Sequence, residues 1–224
     1  MNRREFLTLG GVGGAALVAG LNNLASAEQK EAAGHYETPV VYFTETGPRN
    51  TSVVLDCVRR RGQQLNIKTV LVASVSGQTA LKARGVLDPA TNIVAVSHVT
   101  GFAQPDQQEM PAEVRQELIS KGVTVLTAPH AFGGVGRGIR KKLGTYQVDE
   151  IIAYTLRIFG QGTKVAIELA LMAADAGLAR TDQDVISVAG TSKGADTALV
   201  LRPANSSDFL SLQVREIICK PARL

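Results

Sequence analysis

Tryptophan is missing from this chain, and the remaining aromatics are four Tyr and six Phe. The core therefore has to be aliphatic. A stacking groove for single-stranded nucleic acid is excluded too, because such grooves interleave cations with aromatic rings. Cysteine is nearly as scarce. Cys57 and Cys219 lie too far apart for a zinc or Cys-x-x-Cys motif. Two readings of them stay open, a disulfide in an oxidising compartment or two small buried hydrophobes. Charge of either sign is in short supply, with 24 Lys and Arg against 20 Asp and Glu and a net +4, too slight and dispersed for a nucleic-acid surface. Long hydrophobic runs are also absent. Residues 9–21 are apolar but broken by Gly10, Gly11, Gly13, Gly14 and Gly20, well short of the ~20 strongly apolar residues that a spanning helix needs.

What the N-terminus does hold is an address. Arg3 and Arg4 stand before Phe6 and Leu7, the weakly apolar stretch follows, and Ala25-Ser26-Ala27 closes it. A basic start, a short apolar middle and a small-residue end describe an export signal, and the adjacent arginines point to the twin-arginine type, the plain alternative being an ordinary Sec signal or an N-terminal anchor. The expectation is a signal over residues 1–27 cleaved after Ala27, a polar leader over 28–37 and one domain over 38–224. The destination is the periplasm, reached through the twin-arginine export machinery. Loss of Arg3, Arg4 and Glu5 lowers the net charge from +4 to +3.

Past the leader the chain alternates aliphatic runs with amphipathic ones. Strands are expected at 40–43, 69–73, 93–96, 123–126 and 184–189, the first of them buried, with 198–201 and 214–219 extending the sheet through an antiparallel edge. Helices are expected at 51–64, capped by Asn50 and Thr51, at 80–87, at 113–120 and over 149–176, divided near Gly160 and Gly162. Arg59-Arg60-Arg61 reads as the solvated end of the first helix. The glycine-rich, basic stretch 133–144 reads as a mobile rim loop from which Arg137 or Arg140 could reach a phosphate. Near-continuous aliphatic strands between amphipathic helices require an α/β fold, a three-layer α/β/α sandwich on a mostly parallel sheet.

In such a sheet ligands bind beyond the carboxyl ends of the strands. After the second strand comes Ser74, Ser76, Gly77, Gln78 and Thr79, hydroxyls and a glycine at a helix start, which can hold an anion; the plain alternative is helix capping by Ser76. After the fifth strand comes Thr191, Ser192, Lys193, Gly194 and Asp196, a second loop of the same kind with a fixed cation, or else a solvated turn. His98 and His130 also follow strands directly, and could serve as acid, base or hydrogen-bond donor. No Cys, Asp or Glu accompanies them at metal-ligand spacing, so no metal is predicted. Residues 133–138 lack the dinucleotide spacing and position.

These motifs resemble a known family. The run TVLVASVSGQTALKA (69–83), then IVAVSH (93–98) and VISVAGTSKGADTALVL (185–201), look like the C-terminal domain of pyruvate kinase. GPRNT (47–51), HVTGF (98–102), EMPAEV (109–114), QGTKVAIELALMAADAGL (161–178) and GADTALVLRPANSSDF (194–209) are similar to stand-alone proteins of that type. The resemblance implies a three-layer fold and loops that hold the phosphates of a small effector. It also implies a bound flavin, FMN, and allows a homo-oligomer. Pyruvate kinase activity belongs to a separate barrel domain, so none is expected of this chain by itself. Phe132-Gly133-Gly134 and Ser97 depart from the family pattern. The expected function is an exported binding protein for a phosphorylated small molecule, FMN first, with no nucleic-acid partner. Two alternatives stand beside it: a flavin-dependent oxidoreductase or other enzyme using His98 or His130, and an oligomeric structural domain with a vestigial pocket.

Overall fold

The computed structural model describes residues 34–223, so the expected export signal lies outside the described residues. The chain divides into Met1–Pro39 and Val40–Leu224, and the second unit holds all seven strands of the sheet. In chain order these are β1 (Val41–Phe43), α1 (Thr51–Gln64), β2 (Thr69–Ala73), α2 (Gln78–Val86), β3 (Asn92–Ser97), α3 (Ala112–Ser120) and β4 (Thr124–Thr127). There follow α4 (Val135–Leu143), α5 (Val148–Arg157), α6 (Gln161–Asp175), β5 (Val185–Ala189), β6 (Thr197–Arg202) and β7 (Gln213–Pro221).

The strand order is β1-β7-β6-β5-β2-β3-β4. All neighbours are parallel except where β6 meets β5 and β7. The reversed strand therefore lies inside the sheet, not at its edge as the sequence suggests. The edge is instead β1, whose Tyr42 is mostly exposed, so the first strand is not the buried one expected. Its three residues pair with Cys219, Lys220 and Pro221, and Pro221 lies past Cys219, where the pairing of β7 with β6 ends.

Two aliphatic cores lie on the two faces. Val54, Leu55 and Val58 of α1, Ala80 and Ala83 of α2 and Leu118 of α3 pack with Val70, Val72 and Val188 on one face. On the other, the nearly all-buried α6 covers β2, β3, β5 and β6 with Ala166, Ile167, Ala170 and Leu171. The chain thus changes faces after β4 and returns to pair β5 beside β2. That reversal is a switch point, where diverging loops open a crevice at the strand ends.

Several local expectations are corrected. Arg61 is buried, its guanidinium bidentate on Glu216 of β7 at 2.7 and 2.6 Å, so it ties α1 to the sheet. Asn50 makes no cap; Pro48–Asn50 is a 3-10 turn leading into α1, and Asn50 Nδ2 donates to the carbonyl of Glu45. Residues 133–144 are not a loop, for α4 occupies most of them and ends at Gly144 in the left-handed conformation. Gly160, at φ 121°, divides α5 from α6, while Gly162 belongs to α6. Cys57 and Cys219 are free and buried in the first core. Burial, together with the neighbouring Cys57, pushes the Cys219 thiol up to about 12.

Candidate functional site

Register puts the two sequence-predicted loops side by side, since Val72 pairs with Val188 and both strands end one residue later. Their side chains are used differently. Ser74 is buried and its Oγ accepts from the Ala80 amide at 3.2 Å, so Ser74 rather than Ser76 caps α2. Gly77, at φ 84°, lets the chain turn into the helix, and a Cβ there would collide with Val114. Thr79 is buried, leaving Ser76 and Gln78 exposed.

The second loop is closed on itself. The Asp196 carboxylate, fully buried, accepts from the amides of Gly47 at 2.9 Å and Thr191 at 3.1 Å and from the hydroxyls of Thr191 at 2.7 Å and Thr197 at 2.8 Å. Oδ1 lies beside Gly162 in the first turn of α6, where the helix dipole favours an anion. Asp196 thus sits where an external anion would. Gly194 packs on Pro48 and Thr51, and the Thr51 hydroxyl accepts from the Ala195 amide at 3.0 Å. Ser192 and Lys193 remain exposed.

The two histidines come together one strand further on. Ser97 pairs with Thr127, so the ends of β3 and β4 are adjacent. The His98 and His130 rings are 5.1 Å apart, and Phe102 is 4.1 Å from the first and 5.1 Å from the second. His98 Nδ1 donates to Glu109 Oε2 at 2.6 Å, which leaves Nε2 for a proton or a ligand. Gln108 secures the turn between them by donating to the His98 carbonyl at 3.0 Å. Glu109 was invisible to local ligand spacing because it lies eleven residues away across a loop.

Behind this trio α4 and α5 border an open cavity of about 360 Å³, lined by Phe102, Phe132, Tyr154, Arg137, Arg140, Lys141, Arg157 and Glu150. A second hollow of about 190 Å³ shares Phe102, Arg137 and Lys141 with it and reaches His130. Arg137 lies over the Phe102 ring at 4.9 Å and Arg157 over Tyr154 at 4.8 Å. Arg140 Nε donates to Glu150 Oε1 at 2.7 Å. Under the floor, Lys164 and Glu168 form a buried pair at 2.5 Å, and Glu168 Oε1 accepts from the Phe132 amide at 3.0 Å.

Among the described residues, three buried side-chain polar atoms lack a hydrogen-bond partner: both ring nitrogens of His130 and Glu150 Oε2. All three border these two hollows. Buried polar atoms are nearly always satisfied, so these three unmatched atoms set the two hollows apart from the rest of the described fold. Burial pushes the His130 imidazole below its ordinary 6.5; Glu168 opposes this, while Lys164, Arg137 and His98 reinforce it. The unfolded chain therefore takes up a proton more readily than the folded one. Stability is expected to be full above pH 6.5 and to fall as pH drops below it. Urea unfolding between pH 7 and 5 checks this, and His130→Gln should flatten the loss.

No group of three or more His, Cys, Asp or Glu that could hold a metal occurs among the described residues. No helix among them is long and apolar enough to cross a membrane.

A family model described as pyruvate kinase, alpha/beta domain, matches residues 52–201. This chain belongs to that family. The match runs from α1 to β6 and takes in both loops, both histidines and the cavity. Among solved structures, the chain is similar to Cryptosporidium parvum pyruvate kinase in complex with ADP, at 15% identity and a TM-score of 0.36, over 69% of this chain and 24% of that one. The chain thus spans about a quarter of the enzyme it matches. For this member of the pyruvate kinase alpha/beta domain family, the fold is a mostly parallel mixed sheet flanked by helices.

Proposed function

We propose that this protein is an exported binding protein for a phosphorylated small molecule with a flat ring, FMN being the first candidate. The observation that carries the reading is that two adjoining hollows which share Phe102, Arg137 and Lys141 gather four cationic side chains, three aromatic rings and the three orphan atoms, Glu150 Oε2 on the larger and the His130 ring nitrogens on the smaller. Its volume lies in the range of small-molecule sites. Arg137, Arg140, Lys141 and Arg157 suit a phosphate, which planar guanidinium groups bind in pairs of hydrogen bonds. Phe102, Phe132 and Tyr154 suit a ring, and His130 with Glu150 can meet its polar edge. When bound, a flavin would supply electron-transfer chemistry. The residues' own part is to hold the anion, shield the ring and keep polar contacts dry. Ser76, Gln78, Ser192 and Lys193, with Thr191 and Gly194 behind them, form a second rim one strand away that could meet a longer ligand.

The test is the visible spectrum of protein purified from its own cells, followed by quenching of FMN fluorescence on titration. A yellow protein and saturable quenching are expected. A colourless protein that neither quenches FMN nor releases a phosphate compound overturns the reading. Arg137→Ala is expected to weaken binding by about 10- to 100-fold, the worth of one charge-assisted hydrogen bond. Lys193→Ala should change it less than about threefold. The reverse result would place the phosphate at the β2 and β5 loops.

An enzymatic reading is favoured by one specific observation, the 2.6 Å contact of Glu109 with His98. A carboxylate that fixes one ring nitrogen leaves the other poised for proton transfer. If the protein is yellow, photoreduction followed by a screen of electron acceptors separates carrier from oxidoreductase.

A further inference from the structure

The buried acids Asp196 and Glu168 spend both their oxygens on protein donors. Asp196 takes four of them, and Glu168 gives Oε1 to the Phe132 amide and Oε2 to Lys164. Glu150 does not. Only 6% exposed, it accepts from Arg140 Nε on Oε1 at 2.7 Å, while Oε2 is the one buried carboxylate oxygen without a hydrogen-bond partner among the described residues. A buried anionic acceptor left unmatched is costly, and this one stands in the wall of the larger cavity. Its neighbour Asp149 is turned elsewhere, its carboxylate lying against Gly136 of α4. One helical turn on from Glu150 comes Tyr154, which lines the same cavity, so the two share a face of α5.

We infer that Glu150 is the specificity residue of this cavity, selecting phosphorylated ligands whose flat ring carries a neutral N–H donor on its edge. The inference rests on the proposal that the cavity takes a phosphorylated ring, and adds which kind of ring. A ring set against Tyr154 has Glu150 one turn away, since side chains four residues apart on a helix are neighbours. A carboxylate oxygen can only accept, so the edge must donate. A cationic donor is disfavoured, because Arg137, Lys141 and Arg157 line the same cavity and repel like charge at short range. That leaves a ring imide, a ring N–H or an amino group. Such a ligand divides its two ends between the two signs of charge, the phosphate going to the guanidinium groups and the N–H to the oxygen that Arg140 leaves unserved.

Paired ligands that differ only in the donor decide the matter: FMN against its N3-methyl twin, and uridine monophosphate against 3-methyluridine monophosphate, each titrated into the full chain by calorimetry. The N–H member of each pair is expected to bind about 10- to 100-fold more tightly, the worth of one hydrogen bond to a charged group. Glu150→Gln, which keeps an acceptor for Arg140 and turns an NH2 group to the cavity, should weaken binding of the N–H ligands and bring the ratio within about threefold. Circular dichroism verifies that the variant is folded, and the wild-type ratio needs no variant at all. Equal affinities within the pairs, as a water molecule at Oε2 would produce, overturn the inference and leave FMN binding standing. A ratio that persists in Glu150→Gln also overturns it, because the methyl group is then rejected elsewhere. If the uridylate pair alone binds, with the expected ratio, FMN falls as the candidate and the role of Glu150 stands. Binding of neither pair overturns both.

Discussion

Replacing Asp196 with Ala is expected to cost about 4 kcal/mol or more of stability, enough to unfold a marginal domain. The carboxylate gathers two amides and two hydroxyls from three residues in three segments: Gly47 before α1, Thr191 after β5 and Thr197 at the head of β6. Removing it strands four donors at once, those of Gly47 and Thr197 buried and the two of Thr191 partly so, each buried one worth roughly 1–3 kcal/mol when left unpaired, though not additively. Asp196→Asn keeps one acceptor oxygen but aims an NH2 group at donors, so an intermediate loss of about 2 kcal/mol is expected. Urea denaturation of the three proteins measures both. Equal midpoints would show that the clasp between the GPRNT and GTSKGAD motifs does not hold the fold.

The Lys164–Glu168 pair carries the second large effect. Both side chains are at least 96% buried, and burial pushes the Lys164 ammonium below its ordinary 10.5 while Glu168 opposes the shift. Glu168→Leu leaves an ammonium in the second core without its partner and also frees the Phe132 amide. A loss of about 3–5 kcal/mol is expected. Combining it with Lys164→Met removes the stranded charge, and most of the loss should return, because apolar residues of similar size replace buried ion pairs at little cost. The single variant should also recover as pH rises toward 10, since the unfolded chain then binds more protons on Lys164 than the folded one. A double variant no more stable than Glu168→Leu would mean that the Phe132 amide, not the charge, is what Glu168 serves. Phe132 lines the cavity, so the pair also positions the floor of the proposed binding site.

Much of the architecture was legible because local sequence and burial agree. The aliphatic runs at 69–73, 93–96 and 185–189 are strands within a residue or so of their reading, and their near-total burial is what parallel strands covered on both faces require. Residues 133–144 misled because Gly133, Gly134, Gly136 and Gly138 lower helix propensity. Tertiary contacts override that weakness. Gly136 lets the Asp149 carboxylate approach closely, and Arg140 pairs with Glu150 across to α5. Arg61 looked solvated for a related reason, because its partner Glu216 lies 155 residues away.

The candidate site divides along the same line. Strand ends announce where loops gather, and so Ser76, Lys193, His98 and His130 could be named from their positions after aliphatic runs. Whether a loop residue faces a ligand or its own backbone depends on partners distant in sequence. Asp196 resembled a ligand contact and is a structural anion, whereas Glu109, which opens EMPAEV, carried no sign of its pairing with His98, and Glu150, Tyr154 and Arg157 carried no motif and meet at the cavity only once α4 and α5 fold back over the sheet. The amino-acid sequence by itself therefore determined the layers, the order of elements apart from α4, and the rim, since hydrophobic period and glycine placement act locally. The tertiary structure alone decided which polar groups are paired and which are left unmatched, because desolvation is a property of what surrounds a group and not of its neighbours along the chain.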